Sequence, residues 1–257
     1  MNTEAQLLFS HQAPVGAYEI WQNGSVRYLY INGKLAIQSQ VDMAQKEKLL
    51  LQHSRAMMTF LLFNPKPKSV LLFGLGGGSI IHFFSHWLAK TDITAVDISS
   101  AIIDVATRYF GIIETPKIHL KQADAFQYLS QSRRKNTDVI LVDIHDGISI
   151  PDLLHNPRFI AGCFNRLSGN GVLVLNLLVN TDHEFLRILT ALREYFTNIS
   201  LCIELQDQKN IILLAFKSRK TLNKEKLFNK AKQARIIYGI EFDEFVKGFV
   251  VVKPKSG

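Results

Sequence analysis

Three textures follow one another along this chain. In the first forty residues, runs of mixed apolar and polar character are cut by Asn-Gly pairs. Tyr18–Gln22 precedes Asn23-Gly24, Ser25–Ile31 precedes Asn32-Gly33, and Lys34–Gln38 closes the series. Asn-Gly between two such runs is a strong hairpin signal, because a type I′ turn needs positive φ at both central residues. The pattern predicts a three-stranded antiparallel meander. A helix is predicted from Asp42 to Leu62, after which Pro65 and Pro67 punctuate the chain.

From Ser69 the texture changes to apolar runs alternating with helical patterns. The runs are Val70–Phe73, Ile93–Val96, Val139–Val142, Val172–Leu175 and Ile211–Phe216, with a weaker one at Lys117–Leu120. Near-continuous apolar runs suit parallel strands buried on both faces. Their alternation with helices argues for a doubly wound α/β sheet. The last forty residues read as helix and a short tail. The expected division is residues 1–63, a β-meander with a linking helix; 64–218, the α/β domain; and 219–257, a basic helical extension.

The first α/β strand runs into Gly74-Leu75-Gly76-Gly77-Gly78-Ser79. Such a turn lets backbone approach a ligand closely and aims helix N–H groups at it. Ser79 stands where a dinucleotide fingerprint has its third glycine, which argues against a nicotinamide cofactor. Asp97 ends the second strand, 23 residues beyond Gly74, where a carboxylate can accept both hydroxyls of a ribose. Asp124-Ala125 follows the third strand, where a carboxylate can receive an adenine amino group. Asp143 ends the fourth, with His145 and Asp146 just beyond. In such sheets ligands bind outside the carboxyl ends of the strands, so these acids together point to an adenosine-bearing ligand. His145 is either a substrate-orienting group or an ordinary loop residue. His82 and His86 have metal-compatible spacing, but no Glu follows His82, and no metal is expected.

These residues resemble the spermidine synthase family, the polyamine aminopropyltransferases. The resemblance runs from about Ile31 to Leu177 and rests on Asn64–Gly74, the glycine loop, Val96-Asp97-Ile98, Gln122-Ala123-Asp124, Val142–Asp146, Pro151–Leu154 and Gly171–Asn176. It implies a fold like that of S-adenosylmethionine methyltransferases with a small N-terminal β-domain. It also implies decarboxylated S-adenosylmethionine, or the intact molecule, as co-substrate and a small amine as acceptor. Gly74, Gly76, Gly77, Asp97, Ile98, Asp124, Ala125 and Gln38 would surround the nucleoside. Asp143 would be the catalytic carboxylate and Asp146 a contact to the substrate amine. Gln52-His53-Ser54 corresponds to the family's Tyr-His-Glu stretch and retains only the histidine. Gly77 stands where the family usually has an aspartate that holds the aminopropyl amine, and Gly147 replaces a proline. The adenosine half of the site matches the family pattern and the polyamine half departs from it.

Composition changes this picture little. The chain has 257 residues, 47% hydrophobic and 20% charged, enough for a large core. No apolar run reaches the roughly 18 residues needed to span a bilayer, and the first residues lack a signal-peptide pattern. With only Cys163 and Cys202 and no Cys-x-x-Cys pair, a cytoplasmic protein is expected. The net charge of +8 is local: Lys217 to Arg235 holds eight Lys or Arg against Glu225 alone. A solvated helix face explains it; a nucleic-acid contact is the lesser reading, because Phe228 is the one aromatic residue in the run. An aminopropyltransferase leads the readings. An S-adenosylmethionine-dependent methyltransferase follows, supported by Gly77, then a non-catalytic relative, with a nicotinamide oxidoreductase last. Resemblance also implies a homodimer formed through the N-terminal sheet.

Overall fold

The computed structural model describes residues 5–13, 16–31, 37–131, 136–144, 151–205 and 209–252. Four strands, β1 (Gln6–Ala13), β2 (Gly16–Asn23), β3 (Val26–Ile31) and β4 (Ile37–Asp42), form an antiparallel sheet in sequence order. The meander thus has one more strand than the pattern predicted. β1 has no Asn-Gly pair after it to mark it as half of a hairpin. In the β2–β3 hairpin Asn23 pairs with Val26, so the turn residues are Gly24 and Ser25. Of these two only Gly24 has positive φ, +58°. That is the type II′ arrangement, with glycine first, rather than the type I′ turn expected. The second turn, Asn32-Gly33, lies outside the described residues.

The predicted helix over 42–62 is mostly not one. Helix α1 covers Gln52–Met57 and tightens into a 3-10 turn over Met58–Leu62. Before it the chain folds back on the sheet. Asp42 Oδ1 accepts the Ala44 N–H, the Asp42 carbonyl accepts that of Gln45, and Leu49 bridges to Val41. A short acidic side chain bonding its own local backbone gives the chain an alternative to the helix.

Beyond Pro67 the expected alternation is present. In order come β5 (Ser69–Phe73), α2 (Ser79–Trp87), β6 (Asp92–Asp97), α3 (Ser100–Arg108), β7 (Ile118–Gln122), α4 (Ala125–Gln131) and β8 (Thr137–Val142). There follow α5 (Pro157–Arg166), β9 (Leu167–Leu178), α6 (Asp182–Arg193), β10 (Ser200–Glu204) and β11 (Asn210–Phe216). The chain continues with α7 (Lys224–Tyr238), α8 (Phe242–Lys247) and β12 (Val250–Val252). The eight strands lie in the order β12-β10-β11-β9-β8-β5-β6-β7. β9, β8, β5, β6 and β7 are parallel, while β11, β10 and β12 join antiparallel. β10 and β12 add to the strands expected; β12 brings the C-terminal stretch back onto the sheet edge.

Side chains alternate across this sheet. Val70, Leu72, Val139 and Leu141 pack with α2, α3, α7 and the N-terminal sheet, whereas Leu71, Phe73, Ile140 and Val142 pack with α5 and α6. Each is at most 2% exposed, worth roughly 1.5–3 kcal/mol per large side chain removed from water. Arg55 of α1 donates through Nε to both carboxylate oxygens of Glu241, at 2.8 and 3.0 Å, and through Nη1 to the Leu49 and Leu50 carbonyls. This ties the N-terminal segment to the start of α8. The basic stretch is used internally as well. Lys217 donates to the Phe164 and Leu167 carbonyls, Lys230 to that of Leu62, and Arg235 to Asp243 and Glu244.

Candidate functional site

The sheet reverses its winding at β5, and a cavity of about 470 Å³ opens there, over the carboxyl ends of β5 to β8. That is the expected ligand crevice of an open α/β sheet, and the volume falls within the roughly 300–1,000 Å³ usual for small-molecule sites. Its floor is the glycine turn. Gly74 has φ +91°, and a Cβ there would stand 2.1 Å from the Asp143 carbonyl oxygen. The β5 and β8 backbones therefore approach as closely as they do only because this residue has no side chain. Ladder bonds run past the strand ends, from Gly74 N–H to Val96 O and from Asp143 N–H to Phe73 O.

Asp97 holds the turn in shape. Its Oδ2 accepts the Leu75 N–H at 2.9 Å and its Oδ1 the Ser99 N–H at 2.9 Å. Burial raises its pKa above the ordinary carboxylate value, and these two donors pull part of the way back. Asp124 starts α4, its Oδ1 accepting the Gln127 N–H at 2.9 Å. Asp143 closes the wall at β8. Its Oδ1 accepts Nδ2–H of Asn176 at 2.7 Å, and Asn176 Oδ1 in turn accepts Nδ2–H of Asn210 at 2.8 Å.

Of the residues the sequence singled out, Gln38, His53, Gly74, Gly76, Asp97, Ile98, Asp124, Ala125 and Asp143 line this one cavity. Ile98 is 69% exposed and offers an apolar surface at its mouth. Gln52 and Gly77 do not line it. Gly77 faces inward: a Cβ there would stand 2.8 Å from Ser39 Oγ and 3.1 Å from the Phe110 ring. His145 and Asp146 lie outside the described residues. Tyr18, Ser39 and Leu51 also line the cavity, outside every motif of the sequence, as do Ser54 and Ser79 from the stretches already noted. Most of these come from the N-terminal segment, whose placement over the α/β domain no local motif announces. His82 and His86 are otherwise engaged. Nε2 of His82 lies 2.8 Å from the Phe110 carbonyl, which can only accept, so that nitrogen carries the proton. The His86 ring packs edge-on against Trp87. Among the described residues no cluster of three or more His, Cys, Asp or Glu is placed to hold a metal ion.

Strand order and glycine cradle together define the class: a fold like that of the S-adenosylmethionine methyltransferases, capped by an antiparallel N-terminal sheet. The spermine/spermidine synthase domain, as a sequence family, matches residues 50–221. The chain is 34% identical to a polyamine aminopropyltransferase of Neisseria meningitidis over 241 residues, 93% of this chain and 90% of the relative. It therefore belongs to the spermine/spermidine synthase family. In fold it is similar to a probable spermidine synthase from Corynebacterium glutamicum, with TM-score 0.76 and 16% identity, covering 97% of each chain. It is also similar to human methyltransferase-like protein 13 solved with SAH, with TM-score 0.65 and 22% identity over 80% of this chain and 95% of that one.

Proposed function

We propose that this protein moves an aminopropyl group from decarboxylated S-adenosylmethionine to a small amine. The observation that carries the reading is a single cavity joining Asp97 and Asp124 on one side to Asp143 on the other. Asp97 would take the ribose hydroxyls, Asp124 the adenine amino group, and Ile98 the face of the base. The N–H groups at the start of α2 would lie under the ligand. The acceptor nitrogen then attacks the aminopropyl carbon bonded to the sulfonium. An N–C bond forms, the C–S bond breaks with its electrons returning to sulfur, and a neutral thioether leaves. Asp143 takes the proton that the amine must shed and holds the nucleophile in line. Asp146, His145 and His53 would contact the rest of the amine, and acids in the pocket favour a cationic acceptor.

Methyl transfer from intact S-adenosylmethionine is the second reading. Gly77 favours it, because it supplies no acidic side chain to grip an aminopropyl ammonium, and a Cβ there would press on Ser39 Oγ and the Phe110 ring. The leading reading carries a homodimer built on the N-terminal sheet, whose strand β1 lies at the sheet edge. It also carries a reducing, cytoplasmic setting, which suits the buried free thiols Cys163 and Cys202, the latter pushed by burial to a pKa of about 12.

Replacing Asp143 by Asn separates an enzyme from a binder. Turnover of decarboxylated S-adenosylmethionine with a panel of diamines and polyamines is expected to fall at least about 100-fold. Calorimetric affinity for the nucleoside should stay within about threefold of the wild type. Wild-type turnover in the variant would remove Asp143 from the mechanism.

A further inference from the structure

We infer that Asn176 and Asn210 form a positioning relay that orients Asp143 for proton transfer; this rests on the aminopropyltransferase reading above. The three residues form a polar row across three adjacent strands. Val142 pairs with Leu175, so continuing the β8–β9 register by one residue sets Asp143 beside Asn176. On the far side Asn176 pairs with Ile212 and Leu178 with Asn210, which places the Asn210 side chain diagonally opposite on the same face.

Asn176 is out of place by composition. It is 1% exposed, within a strand whose residues Val172 to Leu177 are otherwise apolar and at most 1% exposed. Burying an amide is unfavourable unless its hydrogen bonds are replaced, and leucine would fill similar space without that cost. The bonds that are made have a direction. Asn210 donates to Asn176, and Asn176 donates to Asp143 Oδ1. A reversed Asn176 amide would turn its oxygen toward an ionised carboxylate, acceptor against acceptor. With its oxygen held by Asn210, the amide presents N–H to Asp143 and polarised donors line up head to tail. The effect is twofold. Donation to Oδ1 fixes the rotation of the carboxylate, and it favours the ionised, proton-accepting form of the acid.

The test uses the full chain and compares wild type, Asp143→Asn, Asn176→Leu, Asn176→Asp and Asn210→Leu. It records kcat and KM, the pH profile of kcat/KM, and the calorimetric Kd of the nucleoside. Asn176→Leu should lower kcat about 10–100-fold and move the acid limb of the profile to higher pH, with the nucleoside Kd unchanged. Asn176→Asp, the same shape, should move that limb further up, because a second carboxylate beside Asp143 opposes its ionisation. Asn210→Leu should act in the same direction, more weakly. If Asn176→Leu does not fold, the isosteric Asp and the half-buried Asn210 site carry the test. Unmoved acid limbs in the Asn variants, beside an inactive Asp143→Asn, overturn the relay alone. So does a fall in kcat accompanied by a weakened nucleoside Kd and an unmoved limb, which marks general loosening. A wild type that makes no aminopropylated product, or an Asp143→Asn variant that keeps turnover, overturns the parent reading and the relay with it.

Discussion

Both oxygens of Asp97 already accept backbone N–H groups, from Leu75 and Ser99, before any ligand arrives. The side chain therefore shapes the glycine turn and still offers lone pairs to a ribose. Its pKa is raised, chiefly by burial, and this sets the sign of two pH effects. Without ligand, the folded state holds the Asp97 proton more tightly than the unfolded state. The group therefore costs stability as pH rises from the ordinary carboxylate value through the raised one. With ligand, ribose hydroxyls donate more strongly to the ionised carboxylate than to the neutral acid. Nucleoside affinity should thus weaken as pH falls, starting at a higher pH than for an ordinary aspartate. Calorimetry across pH on wild type and Asp97→Asn checks this: the variant should bind about 10–100-fold more weakly at neutral pH and lose the acidic slope. A second prediction concerns Gly77, where added side-chain atoms meet Ser39 Oγ and the fully buried Phe110. Gly77→Ala should cost about 1–3 kcal/mol in chemical denaturation. In the Gly77→Ala/Ser39→Ala double variant the cost should shrink, because the nearest clashing atom is gone.

At the scale of elements, legibility tracked how local each signal is. β5, β6, β8, β9 and β11 were readable because each is an apolar run buried on both faces, and the glycine turn followed directly from sequence. The stretch from Met43 to Leu51 is not the helix expected over 42–62. Asp42 closes a local turn there and Leu49 bridges back to Val41. β12 was invisible because Val250–Val252 is three residues long and is a strand only by pairing with β10. In the site, acids at strand ends were legible, while Ser39, Ser54 and the Asn176–Asn210 pair depend on contacts between distant segments. The inter-element tie most open to test is Arg55 with Glu241, both partly buried, at 23% and 18% side-chain exposure. Arg55→Met should lower stability by about 1–3 kcal/mol, because it leaves the Leu49 and Leu50 carbonyls and the Glu241 carboxylate without their donor. Glu241→Gln should cost less, since an amide still accepts from Arg55. Thermal denaturation of the two variants decides the order.

For the whole molecule, the strand order, the N-terminal sheet and the family membership agree on one architecture, and the basic C-terminal stretch fits within it. Several of its cations are held by carbonyls, carboxylates or, for Lys232, the Phe228 ring. Part of the local positive charge is thus engaged within the chain itself, while the basic residues of α7 stay exposed. What distinguishes the two catalytic readings is the fate of the sulfonium. The most direct measurement is a product assay with equal amounts of decarboxylated and intact S-adenosylmethionine and a panel of diamines and polyamines, resolved by mass spectrometry. The account predicts methylthioadenosine together with an acceptor heavier by one aminopropyl group. S-adenosylhomocysteine with a methylated acceptor, and no aminopropylated product, would contradict it.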